Sequence, residues 1–278
     1  MTNFIRFMKS KMMANLVRNR TMKYLSIITL GLLFTNFLPA QQSIIDLMGH
    51  GENLKEENKL LEYQDLDFSN LWLHTANRNV FGMIGENHKR LKIKIISVNR
   101  TLNKIGYTVY GKSCVDGNIC DFYGTILITK ILLLKDFHYG VDDELKDSGI
   151  KDQGIIIATY KFEENIDQTH SGVFTGQLVS RWYINSSRQL KYDDIELHSD
   201  RYMNNAFVGN WTAYNSTTTK ICNWGDYRLP FCKADFDIGA GEFSPSKKYY
   251  SQGWENYQKA WLYTDKEAQQ RELAEWWK

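Results

Sequence analysis

The chain has 278 residues, 43% hydrophobic and 14% aromatic, with a formal charge of +2. That supports one sizeable core, or one domain with a small appendage. The first 40 residues hold six of the 34 Lys and Arg and none of the 32 Asp and Glu, so the remainder is net −4 (28 against 32). Such a balance gives no support for nucleic-acid binding.

Tyr24–Phe37 is an apolar run preceded by Lys23 and followed by Leu38-Pro-Ala40-Gln41. A basic flank, a short apolar segment and a small residue at the cleavage point are the pattern of a secretory signal. The run is shorter than the about 20 residues a spanning helix needs; a membrane anchor is the competing reading. Residues 1–40 are therefore expected to be an N-terminal extension plus signal peptide, with Met22 as an alternative start to Met1. Export to the periplasm or the extracellular space follows, with no integral membrane segment after cleavage. Residues 41–66 read as a polar leader with helical character, 67–256 as an antiparallel β domain, and 257–278 as a C-terminal helix.

Strand signals begin at Leu91-Lys-Ile-Lys-Ile95, which alternates strictly. Ile105–Lys112 and Phe122–Leu134 follow, then a long polar loop over Phe137–Gln153. Gly154–Phe162 is a β-branched run, and Gly172–Ile184 alternates. Gln189–Leu197 and Ala206–Tyr214 come next, and Lys220–Trp224 leads into the Cys222–Cys232 loop. About eight or nine strands at this spacing predict an all-β, mainly antiparallel fold: a curved sheet closing toward a barrel or sandwich. Thr264-Asp-Lys-Glu267 fits a capping box and predicts a helix over Asp265–Lys278.

One pattern recurs. Phe122-Tyr-Gly124-Thr-Ile126, Phe174-Thr-Gly176-Gln-Leu178 and Phe207-Val-Gly209-Asn-Trp211 each place Phe, Gly and a large apolar residue on one strand face. Glycine there leaves a notch that a neighbouring aromatic fills, and it lets the strand bend.

All four cysteines follow the signal. Their even number in an exported chain predicts disulfides, with Cys114 bridged to Cys120 and Cys222 to Cys232 expected among three pairings. Val115-Asp-Gly-Asn-Ile119 reads as the hairpin turn between the first two. Neither pair has the Cys-x-x-Cys spacing or a nearby His of a zinc site.

On a strand, Asp194, Glu196, His198 and Asp200 would share a face and could hold a cation; a solvated outer face has the same composition. Asp235, Asp237 and Glu242 are further acids near Trp224 and Arg228, and paired carboxylates across an aromatic cleft are what glycoside hydrolysis requires. No nucleophile elbow and no phosphate-cradling glycine motif occurs, so no catalytic residue, metal or cofactor is assigned. The strongest signal is aromatic. Trp224, Tyr227 and Arg228, read as lying inside the Cys222–Cys232 loop, form with Glu242 the expected ligand-binding set, because functional residues favour loops held by a rigid frame.

Asn204-Asn-Ala-Phe-Val-Gly-Asn-Trp211, Cys222-Asn-Trp-Gly-Asp-Tyr-Arg-Leu-Pro230, Asp237-Ile-Gly-Ala-Gly-Glu-Phe-Ser-Pro245 and Gly253-Trp-Glu-Asn-Tyr257 resemble a family of uncharacterised exported bacterial β-rich proteins, for which no activity is known. Gly209-Asn-Trp211 also resembles the Gly-x-Trp of the calycins, the lipocalin and avidin type of ligand-binding barrel. There the motif opens the barrel; here it lies late in the chain. The expected function is non-enzymatic binding of a small molecule, a glycan or a protein partner. A polysaccharide hydrolase using Asp235, Asp237 or Glu242, and a structural cell-envelope protein, are the alternatives. On this reading Trp224→Ala weakens binding and spares stability.

Overall fold

The computed structural model describes residues 44–46, 53–214 and 216–278; the signal segment and the choice of start codon lie outside the described residues. The described residues form nine strands: β1 (Val80–Ile84), β2 (Lys89–Arg100), β3 (Gly106–Val115), β4 (Asn118–Leu133), β5 (Asp152–Glu164), β6 (Gly172–Ile184), β7 (Leu190–Tyr192), β8 (Asn204–Ala213) and β9 (Thr219–Asp226). All pair antiparallel, and eight of them close into a barrel in the order β1-β2-β3-β4-β5-β6-β8-β9, with β9 returning to β1. The short β7 pairs with the far end of β6, beyond the reach of β8. Closure leaves the main strands without an unpaired edge. Register shifts in β2, β4 and β8 supply the local bends that closure needs.

The glycine notches are filled by neighbouring rings. Gly176 faces Gly209 across the β6–β8 ladder. A Cβ on either would lie 2.8 Å from the Tyr160 hydroxyl, and one on Gly124 would lie 2.8 Å from Cδ1 of Phe162. Aromatic rings from β5 therefore occupy the space that the missing side chains leave. The barrel interior is packed ring to ring: Tyr160 lies 5.2 Å from Trp224, Phe207 stacks on Trp224 at 4.6 Å, and Phe122 stacks on Phe162 at 5.0 Å. The Tyr160 hydroxyl is buried without a hydrogen-bond partner among the described residues.

One end of the barrel is plugged. Phe68, Leu71 and Trp72, from the segment entering β1, join the interior cluster. Backbone and side chains sew them in: Phe68 N donates to the Tyr107 hydroxyl (3.1 Å), Trp72 Nε1 to Ser180 Oγ (3.0 Å), and Asn205 Nδ2 to the Leu71 carbonyl (2.8 Å). Two apolar clusters cover the outer wall. Ile44, Ile45 and Leu54 of the leader pack on Ile155, Ile157 and Val179. Phe236, Phe243, Tyr249 and Trp254 pack on Phe81 and Met83 of β1.

That second cluster explains why β1 escapes sequence analysis. Its residues are buried on both faces, so Val80–Ile84 shows no alternation. Gln189–Leu197 supplies only the three residues of β7, and Asp194–Asp200 forms successive turns instead, with Leu197 N bonded to the Asp194 carbonyl and Ser199 N to that of Glu196. The four polar side chains from Asp194 to Asp200 thus do not form a strand face. No group of three or more His, Cys, Asp or Glu among the described residues is placed to hold a metal.

The chain ends in two helices, α1 (Glu255–Trp261) and α2 (Lys266–Leu273). The cap of α2 is Asp265, whose carboxylate accepts from Ala268 N, one residue later than the capping box suggested. The tail docks on the body: Arg90 forks onto Glu272, and Trp276 Nε1 donates to Asn77 Oδ1 (3.0 Å). No helix of the described residues is long and apolar enough to cross a membrane.

The expected disulfides are not formed; all four cysteines are free thiols. The β3–β4 hairpin closes through the two-residue turn Asp116-Gly117, both at positive φ (50° and 81°), rather than a wider loop. Cys114 therefore lies opposite Ile119, and Cys120 opposite Ser113. Residues one apart point to opposite faces, so Cys120 turns inward and Cys114 outward. The wall likewise separates the other pair. Cys222 belongs to the interior cluster, whereas Cys232 packs against the outer cluster around Phe236.

Candidate functional site

The residues singled out from sequence divide between two places. Trp224 stands on β9, not in a loop, and is 2% exposed inside the barrel. Tyr227 and Glu242 line a surface cleft of about 640 Å³, together with His198, Asp200, Arg78 and Trp261. Arg228 lies beneath that cleft. Its guanidinium pairs with Asp237 and donates to the carbonyls of Gly239, Ala240 and Gly241, which pins the loop that presents Glu242. Tyr227 holds a left-handed conformation (φ 65°), anchored by its N–H to the Asn79 carbonyl at 2.7 Å. Asp235 binds Lys248 and Tyr249. Of the three acids considered for hydrolysis, only Glu242 faces the cleft; salt bridges engage the other two.

A second and larger cavity, about 740 Å³, opens at the barrel end opposite the plug. The turns β1–β2, β3–β4, β5–β6 and β8–β9 surround this mouth. Its inner wall carries Phe174, Trp211, Ser113 and Glu164. Glu164 is the last residue of β5 and continues the inward row Ile156, Ala158, Tyr160, Phe162. It is 5% exposed. Three neutral donors from three strands hold it: Ser113 Oγ of β3, Gly172 N of β6 (2.8 Å) and Trp211 Nε1 of β8 (2.9 Å). Burial pushes its carboxyl above the ordinary range, against the pull of those hydrogen bonds. No ion pair among the described residues reaches it.

The rim is charged. Lys89 is paired with Asp116 across the β1–β2 and β3–β4 turns. Lys220 Nζ lies 5.6 Å from the centroid of the Trp211 ring. An aromatic wall, a buried carboxylate and a mixed-charge rim make a cavity that can hold a small molecule by its apolar body and orient it by one polar group.

Glu164 was missed because the sequence reading ended its strand at Phe162. The signal was there: two residues past Phe162 is the next inward position. The class these features define is an antiparallel eight-stranded barrel, plugged at one end and open at the other. Compared with family models, curated proteins and solved structures, the chain finds no match.

Proposed function

We propose that this is an exported, non-enzymatic binding protein whose small-molecule ligand sits in the barrel mouth against Trp211 and Phe174. The observation that carries the reading is Glu164, a carboxylate buried at the wall of an open aromatic cavity and held only by neutral donors. A buried charge without a counter-charge is costly, and a fold that keeps one at the edge of a cavity has a use for it there. Export rests on the signal-like run Tyr24–Phe37 and the small residue Ala40 after it.

The test is a thermal-shift screen of metabolites, with hits measured on Trp211→Phe. That variant keeps a ring and removes the N–H. The reading expects weakened binding and a melting temperature lower by only a few degrees. Hits insensitive to Trp211→Phe and lost in Glu242→Gln would move the site to the cleft.

The cleft supports a second reading, glycan binding. Trp261 is 39% exposed there and stands with Tyr227, Asp200 and Glu242, a mixture of aromatic faces and hydrogen-bonding groups suited to sugars. A glycan array read against Trp261→Ala tests it.

A further inference from the structure

Granting that the mouth is the binding site, its chemistry narrows the ligand. We propose that the mouth selects organic ammonium ions, an amine cation carried on an apolar or aromatic body.

The cationic end follows from Glu164. A carboxylate has about four acceptor positions, and the protein supplies three donors, all neutral. One acceptor position and the whole negative charge are left to whatever occupies the cavity. No ion pair among the described residues takes that role, although His170 also lines the mouth. Lys89 is committed to Asp116, and Glu86 adds a second carboxylate at the rim.

Trp211 carries the second half. Its indole N–H is spent on Glu164, which fixes the ring in the wall and leaves a face for a cation. A cation is already over that ring: the Lys220 ammonium, 5.6 Å from its centroid. Lys220 makes no ion pair among the described residues and is exposed at the start of β9, so it can swing into water. It holds the position over the ring that the ligand's own ammonium would take. Phe174, Ile84 and Val115 offer the apolar body a wall. The volume, about 740 Å³, falls within the usual range for small-ligand sites.

Three probes of matched size separate the alternatives: phenethylammonium, 2-phenylethanol and phenylacetate, titrated calorimetrically into the chain. Phenethylammonium is expected to bind about tenfold or more tighter than the alcohol, with phenylacetate weakest. Lys220→Met removes the internal competitor and is expected to tighten phenethylammonium severalfold without moving the melting temperature. Glu164→Gln is expected to erase the preference over the alcohol. Should that variant not fold, the Lys220→Met arm decides alone. Alcohol or carboxylate binding as tightly as the ammonium, or Lys220→Met weakening it, overturns the ligand class while leaving the mouth as a site. No binding by any of the three also overturns the class, whereas the site itself falls only if screen hits ignore Trp211→Phe.

Discussion

The two ends of the barrel are built on the same device and differ in what covers it. At the plugged end Asp226 closes the inward row Cys222, Trp224, Asp226 of β9; at the mouth Glu164 closes the inward row of β5. Both acids are buried, and both are held by three neutral donors. For Asp226 these are Thr75 Oγ1 (2.7 Å), Tyr192 OH (2.9 Å) and Asn205 Nδ2 (2.7 Å), all on Oδ2. What differs is the cover. Thr75 belongs to the segment that carries Trp72 over the opening, and the space left beside Asp226 is about 30 Å³, against about 740 Å³ beside Glu164. An inward acid at a strand end is thus a lock where a strap closes over it, and at the open end it is, on the proposed reading, the group that recognises a ligand.

The largest effects should lie on the closed side. Trp72→Ala removes a 6%-exposed indole, its bond to Ser180 and its edge contact with Tyr107 at 5.0 Å. The expected cost is about 3–5 kcal/mol, or roughly 10 °C in melting temperature for a domain this size. Trp224→Ala should cost as much, because that ring stacks on Phe207 at 4.6 Å and touches Tyr160; the sequence-based expectation that it spares stability is revised. Trp211→Phe at the mouth should cost about 1–2 kcal/mol, the lost bond to Glu164. Equal losses on chemical denaturation at both ends would abolish the distinction between lock and mouth.

The next effect is on pH dependence. Burial pushes the Asp226 carboxyl from 3.8 to about 7, against the pull of Thr75, Tyr192 and Asn205. A folded-state value above the unfolded one means that the native state binds the proton more tightly. The contribution is fully present below about pH 4 and is lost as pH rises through 7. At about 1.4 kcal/mol per pKa unit the ceiling is on the order of 4 kcal/mol. Asp226→Asn should flatten that slope, gaining on the wild type at pH 8 and not at pH 4, measured by denaturant titration at both. Glu164→Gln should change the slope in the same direction but less, because Glu164 beside the open cavity is less deeply buried than Asp226. A steeper dependence on Glu164 than on Asp226 would reverse the comparison.

Much of this architecture was legible from residue order alone. The notched strands were, since Phe-x-Gly places ring and gap on one face and two copies meet as Gly176 opposite Gly209. The two acids were not. The strand reading stopped at Phe162, its last apolar inward residue, and the segment around Trp224 was read as a loop, so the polar residue two further on was missed in each case. Hydrophobic alternation ends where the core ends, and rim residues lie just past that point. The cysteines misled for a related reason. Cys114 and Cys120 are close in sequence, but the Asp116-Gly117 turn sets a register one residue away from the one that would align them.

That register yields the smallest expected effect. A disulfide in a chain of this kind contributes about 2–5 kcal/mol, so bridged cysteines would make the melting temperature sensitive to reductant. With Cys120 and Cys222 facing inward and Cys114 and Cys232 on the other side of the wall, reductant should move it by less than about 1 °C, and Cys114→Ser with Cys232→Ser should cost under about 1 kcal/mol. Mass spectrometry after alkylation in denaturant, without reductant, should count four modified thiols. In the native state the half-buried Cys114 and Cys232 should label ahead of Cys120 and Cys222, which are 2% and 0% exposed. A Cys114–Cys120 pair that stays unreactive in denaturant would mean that β3 and β4 meet in another register. Because a shift of one residue turns every side chain to the other face, Ser113 would then leave Glu164, and the mouth would lose one of the three bonds that define it.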